Sequence, residues 1–204
     1  MKAINRMKQC LSVILLIVMA PACFADGAGV LIFTKKDNQL FVLLADHKKL
    51  KQQKRGWSTL GGSIKPGEND LEAAIREVYE ESNGIIKREE LAKLIKPSIK
   101  TVTPGFVIYF AEIDFRSSDV FNQTMVKQSQ NGFGERGPFI WLPWQEILIA
   151  AKEFDLQQQN CNPKAVRIPR NFLPADENTD WFFDAFLATI DDIVQTKNSP
   201  LPAF

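Results

Sequence analysis

The sequence predicts an α/β domain. Short runs rich in β-branched and aromatic residues alternate with stretches of helical apolar spacing, and the composition is that of an ordinary globular protein. The chain has 204 residues, of which 45% are apolar and 24% charged. That mix excludes long disorder, collagen-like repeats and a coiled coil, and the length suits one domain with an appendage. With 25 basic and 24 acidic residues, the formal charge is +1. The total charge carries no general polyanion-binding character, so nucleic acid is not an expected partner. One histidine (His47) and three cysteines (Cys10, Cys23, Cys161) are too few for a His-rich metal cage or a structural zinc site.

Residues 1–25 read as a secretory signal peptide. Lys2, Arg6 and Lys8 precede an uncharged apolar run, Cys10 to Ala20, and small residues follow up to Ala25. The run is too short for a stable membrane span, which needs about 20 residues. The expected location is therefore exported, either periplasmic or secreted. The alternatives are lipid attachment at Cys23 and an N-terminal helix packed on the domain. Cleavage after Ala25 would leave Cys161 as the sole thiol, so no internal disulfide is expected.

In the rest of the chain, 26–152 reads as the folded domain and 153–204 as a C-terminal arm. Val30 to Thr34 and Leu40 to Leu44 read as strands joined through a turn at Asp37-Asn38. His47, taken as a surface residue, opens a Lys-rich loop reaching Arg55. Trp57 to Gly62 reads as one strand, 70–82 as a helix, and 91–95 as a short helical piece. Phe106 to Asp114 reads as a strand and Arg116 to Gly137 as a long loop, a common site of function. Apolar Phe139 to Trp144 precedes a helix over Trp144 to Lys152. A polar stretch, 157–178, leads to an amphipathic helix over Trp181 to Val194, expected to dock on the domain or on a second subunit. A monomer and a homodimer are both open.

The chemistry concentrates between Gly61 and Gly84. Asn69 can cap the 70–82 helix, with Glu72 completing a capping box. Leu71, Ala74, Ile75 and Val78 share one face, and Glu77, Glu80 and Glu81 crowd a neighbouring arc about 100° wide. Like charges at these spacings cost about 0.2–0.5 kcal/mol each, and the helix dipole disfavours acids in its C-terminal half. Arg76 is the local counter-charge read from the sequence. A divalent cation would reverse the sign of the arrangement, and oxygen-only ligands suit Mg²⁺ or Mn²⁺. The bland alternative for an isolated acidic face is simple solvation.

The acids stand in a fixed register with Gly62, Glu68, Arg76 and Val78. This stretch resembles the signature of the Nudix hydrolase family, Gly-x5-Glu-x7-Arg-Glu-U-x-Glu-Glu-x-Gly-U with U bulky and apolar. Seven specified positions coincide by chance on the order of once in 10⁸ starts or rarer. One departure exists: Asn83 occupies the usual glycine position, with Gly84 one place later. Asn tolerates a left-handed conformation better than most residues, and a helix one residue longer could use Gly84 instead.

The resemblance implies an α/β/α sandwich with a mixed β-sheet and, here, a C-terminal helical extension. It implies a Mg²⁺-dependent pyrophosphohydrolase (Mn²⁺ being the alternative ion) acting on a small-molecule nucleoside diphosphate derivative. By the same resemblance, Glu77, Glu80, Glu81 and the Gly61 carbonyl are the metal ligands. Arg76 and Glu68 support them. The general base is either a box glutamate, such as Glu80, or Glu135 in the loop before Trp141, with Glu112 a lesser candidate. Trp57, Phe133, Trp141 and Trp144 are candidates to stack a base, with core packing as the alternative. A second function class is a catalytically inactive Nudix-fold module that binds a nucleotide or a partner.

Overall fold

The computed structural model describes residues 25–47, 56–125, 136–160 and 164–203. The expected export signal up to residue 24, the Lys-rich stretch from Lys48 to Arg55, Phe133, Glu135 and Cys161 lie outside the described residues.

The described strands form one mixed sheet. Strand β1 (Gly27–Lys36) runs through its centre and is buried from Gly27 to Thr34. Its near-continuous apolar sequence is what a strand covered on both faces requires. β2 (Gln39–Asp46) returns antiparallel through a two-residue turn at Asp37 and Asn38, both with positive φ (50° and 60°). That is the expected hairpin, with residues that tolerate this backbone.

The single strand expected over Trp57 to Gly62 is instead two. β3 (Trp57–Ser58) pairs with β2, and β4 (Leu60–Ser63) pairs with β1. β5 (Lys100–Thr103) and β6 (Phe106–Glu112) form a hairpin, and β6 lies parallel to β1. β7 (Phe139–Pro143) pairs with β2.

Three helices, interspersed with the strands in sequence, cover one face. They are α1 (Asp70–Glu81), α2 (Arg88–Leu94) and α3 (Ser118–Met125). Ala74 and Val78 of α1, Leu91 of α2 and Phe121 of α3 pack there with Val30, Ile32 and Leu43. α3 corrects the reading of 116–137 as wholly loop. Its Phe121 is fully buried against Phe139, which gives a short polar helix a tertiary anchor.

The other face carries α4 (Trp144–Gln159) and the arm. α4 continues beyond Lys152, where the sequence pattern ended it, because Phe154 extends its buried stripe. The arm packs against α4 and β3, but not as one helix. Trp57 N–H donates to the Trp181 carbonyl at 3.0 Å, and Phe183 N–H donates to the Trp57 carbonyl at 3.0 Å. Trp181 to Phe183 are thus committed to a strand-like bridge against β3, and helix can start only at Asp184. α5 (Asp184–Leu187) and α6 (Ile190–Gln195) are separated at Ala188-Thr189, where the Thr189 hydroxyl donates to the Phe186 carbonyl at 2.7 Å. Phe182, Phe186, Leu187, Ile190 and Ile193 are all buried. Each such side chain contributes about 1.5–3 kcal/mol on leaving water.

Candidate active site

Helix α1 carries Glu77, Glu80 and Glu81, and its ends fix their register. At the start, the Asn69 side chain accepts from Glu72 N–H and the Glu72 carboxylate accepts from Asn69 N–H, both at 2.9 Å. This is the capping box read from the sequence, and such a cap is worth about 1 kcal/mol. At the end, Asn83 N–H donates to the Glu80 carbonyl at 3.1 Å and Gly84 N–H to the Tyr79 carbonyl at 2.7 Å. Asn83 takes the left-handed conformation at φ 55°. This is a Schellman ending with Asn in the glycine position, so the departure at Asn83 leaves the acids' register intact.

Arg76 is the organiser of the cluster. Its Nε and Nη2 donate to the two Glu68 carboxylate oxygens at 2.6 and 2.9 Å, a bidentate pair. Nη1 donates to Glu77 at 2.7 Å and Glu80 at 3.1 Å, and Nη2 also donates to the Ser63 carbonyl at 2.9 Å. Those bonds hold the Glu68 carboxyl down at about 2 and raise the Arg76 pKa further. Lys65 and Arg88 also approach Glu80, at 4.0 and 3.9 Å.

Glu81 sits apart. It is buried, and its Oε2 accepts from Gly61 N–H at 2.8 Å. Its Oε1 accepts from Arg136 Nε at 2.6 Å. Arg136 is itself buried, with Nη1 donating to Ser58 Oγ at 3.2 Å and Nη2 to the Thr59 carbonyl at 3.0 Å. Burial pushes the Glu81 carboxyl up to about 7 against the pull of Arg136. The sequence reading missed Arg136. Its only signal was its place beside Glu135, because the partner acid lies 55 residues away.

Among the described residues, no three His, Cys, Asp or Glu side chains stand together as a metal-ligating group. Arg76 holds Glu77 and Glu80, and Arg136 holds Glu81. The donor chemistry nevertheless fits a hard divalent cation, with carboxylates and the Gly61 carbonyl as its oxygens. The backbone makes room for one of these carboxylates. A Cβ on Gly62 would fall 2.6 Å from the Glu77 carboxyl carbon, so only glycine lets that carboxylate lie over the strand. Gly61 is constrained more severely, because a Cβ there would meet the Gly29 Cα of the neighbouring strand at 2.6 Å.

Other candidates are placed elsewhere. Glu112 pairs with Lys35 at 3.2 Å at the far end of β6, about 20 Å along the strand from the Phe106 end that borders Gly61. It takes no part in the cluster. Trp57 and Trp144 are core residues whose indole N–H groups donate to the Thr179 and Pro202 carbonyls, both at 2.8 Å. Trp141 is half-buried and donates to the Arg116 carbonyl at 2.7 Å. None of the three lines the cavity of about 360 Å³ that opens beside Gly61 and Arg136. Its aromatic lining comes from Phe106, Phe183 and Phe186.

His47 is half-buried and not a surface residue, because β2 carries it beneath the arm. Its ring lies 4.8 Å from that of Phe183, and Nε2 is 2.7 Å from Ser58 Oγ. Burial, aided by the Arg136 charge, lowers its pKa to about 3. Between that value and the ordinary 6.5 the unfolded chain takes up a proton that the folded chain refuses. Stability therefore falls as pH drops below about 6.5. His47→Gln is expected to lose about 1–2 kcal/mol less than the parent between pH 7.5 and pH 5. Urea unfolding of both proteins at the two pH values measures this, and equal losses would refute it.

A NUDIX domain family model matches residues 24–163. No curated protein matches the chain. Among solved structures, the C. elegans Ap4A hydrolase aligns at 19% identity over 67% of this chain and 92% of its own, with a TM-score of 0.41. The NUDIX domain of Shewanella oneidensis NrtR, solved with ADP ribose, aligns at 16% identity over 81% of this chain and 83% of its own, with a TM-score of 0.42. A MutT/nudix family protein from Enterococcus faecalis aligns at 16% identity over 70% of this chain and 51% of its own, with a TM-score of 0.40. Because the family match begins just before β1 and continues past the end of α4, taking in well over half of the residues, the chain belongs to the Nudix family.

Proposed function

We propose that the protein is a Mg²⁺-dependent pyrophosphohydrolase that cleaves the diphosphate linkage of a nucleoside diphosphate derivative. One observation carries the reading: the last turns of α1 carry Glu77 and Glu80, held by the Arg76 that Glu68 clamps, and Glu81, whose carboxylate accepts from the Gly61 N–H. When bound, Mg²⁺ would neutralise phosphate charge and lower the pKa of an attacking water. Glu77, Glu80, Glu81 and the Gly61 carbonyl would hold the ion. Arg76 keeps the Glu77 and Glu80 carboxylates in place, and its bidentate bond to Glu68 fixes the guanidinium itself. The base that takes the water's proton is assigned to a box glutamate, Glu80, or to Glu135.

Residues 1–25 support export to the periplasm or beyond, and the domain limits 26–152 and 153–204 belong to the same reading. Among the described residues, no helix is long and apolar enough to cross a membrane. The competing reading, an inactive binding module, draws on the buried ion pair of Glu81 with Arg136, which already satisfies one of the three acids. Calorimetric titration with Mg²⁺ and Mn²⁺ and a phosphate-release panel of ADP-ribose, nucleoside triphosphates and dinucleoside polyphosphates separate the two. Uptake of metal with turnover of at least one compound is expected. Absence of metal uptake even with nucleotide present, together with no turnover, overturns the enzymatic reading.

A further inference from the structure

The sheet register lays out the floor of the cavity beside Gly61. Gly61 pairs with Gly29, Gly29 with Ile108, and Ile108 with Thr101, a row across β4, β1, β6 and β5. Three strand spacings make this row about 14 Å long. Its Gly61 end is where the acidic helix would engage a diphosphate. At its other end, the Thr101 hydroxyl lies 2.6 Å from the Thr196 hydroxyl of the arm. The Thr196 hydroxyl in turn donates to the Asp192 carbonyl at 2.8 Å, one helical turn back. These bonds tie α6 to β5, and Asp192 joins the cavity lining from that side.

The lining between the two ends is aromatic. Phe106 of β6 and Phe183 and Phe186 of the arm border a space of about 360 Å³, within the usual range of ligand pockets. Free polar groups stand at both ends. Thr59, beside Gly61, is 8% exposed, and its hydroxyl bonds to nothing among the described residues. Asp192 is exposed at the rim, and its carboxylate has no hydrogen bond or ion pair among the described residues. Aromatic faces together with a free polar group suit a nucleobase, which stacks by its faces and is read by its edge. Phe183, Phe186 and Asp192 lie beyond the family match, which ends at residue 163, so they are this chain's addition to the common domain.

We propose that this cavity receives the base of the nucleoside diphosphate, and that Asp192 selects guanine. The proposal rests on the pyrophosphohydrolase reading, since the diphosphate must lie at Gly61 for the base to enter. An ionised carboxylate only accepts hydrogen bonds, and its two oxygens can take two parallel donors. Guanine is the ordinary base with two adjacent donors on its pairing edge, N1–H and the 2-amino group. Adenine and cytosine set their amino group beside a ring-nitrogen lone pair, and uracil flanks its N–H with carbonyls. Each of those would turn an acceptor toward a carboxylate oxygen and leave both without a donor.

The test uses hydrolysis-resistant α,β-methylene diphosphates of guanosine, inosine and adenosine, and the bare methylenebisphosphonate. Each is titrated calorimetrically into the purified full chain with Mg²⁺. Guanosine is expected to bind at least about tenfold more tightly than adenosine. Inosine, which keeps N1–H and lacks the 2-amino group, is expected to fall between them. Asp192→Asn offers one donor and one acceptor in place of two acceptors, so it is expected to bring guanosine and adenosine within about twofold of each other. The inosine comparison on the unaltered protein stands independently should the variant fail to fold. Adenosine or inosine binding as tightly as guanosine, or a preference that survives Asp192→Asn, overturns the proposal while the pyrophosphohydrolase reading stands. Failure of all four compounds to bind with Mg²⁺ overturns both.

Discussion

Arg136→Met is expected to destabilise the protein by about 3–5 kcal/mol, because it strands a buried carboxylate. Glu81 is 6% exposed and Arg136 3% exposed, so water cannot replace the lost partner. The Ser58 hydroxyl and the Thr59 carbonyl lose a donor at the same time. For a domain of this size the drop corresponds to roughly 6–20 °C in melting temperature. The decisive measurement is a double-mutant cycle with Glu81→Gln. The two changes together are expected to cost well under the sum of the single effects, since the second removes the charge that the first abandons. Additive costs would mean that the two side chains do not depend on one another.

Glu80→Gln is expected to act on chemistry and hardly on folding. Glu80 is only partly buried, and its neighbours Arg76, Lys65 and Arg88 keep other acceptors or water. Losing this carboxylate removes a charge from the group assigned to the cation, so kcat is expected to fall by at least about 10²-fold. The urea midpoint is expected to shift by less than about 0.5 kcal/mol in equivalent stability. Steady-state phosphate release and urea unfolding on one preparation read both quantities. Undiminished turnover would identify Glu80 as a structural charge tied to Arg76.

The parts of the site legible in the sequence are those whose partners lie within a turn or two of helix. The Asn69–Glu72 cap and the Glu77–Glu80–Glu81 arc follow from spacing along one element, and Asn83 announces its left-handed backbone by its residue type. The Glu68–Arg76 clamp spans only eight positions and belongs to the same local frame. Long-range contacts carried no such signal. Arg136 reaches Glu81 only because β7 lies against β2 and returns the chain to the sheet's edge. The tryptophans are the most conspicuous aromatic residues in the sequence, yet the indole N–H groups of Trp57, Trp141 and Trp144 fasten loops and termini, and phenylalanines face the cavity. β5 escaped notice because its inward residue is Thr101, which finds a partner in the Thr196 hydroxyl of the arm at 2.6 Å. The 181–194 helix was over-extended because periodicity does not register a backbone pairing with β3.

That pairing has a consequence for solubility. β3 is an outermost strand, and outermost strands invite other chains to add to them. Trp181 to Phe183 fill its open hydrogen-bonding positions at Trp57, so the protein's own tail acts as a doorstop against aggregation.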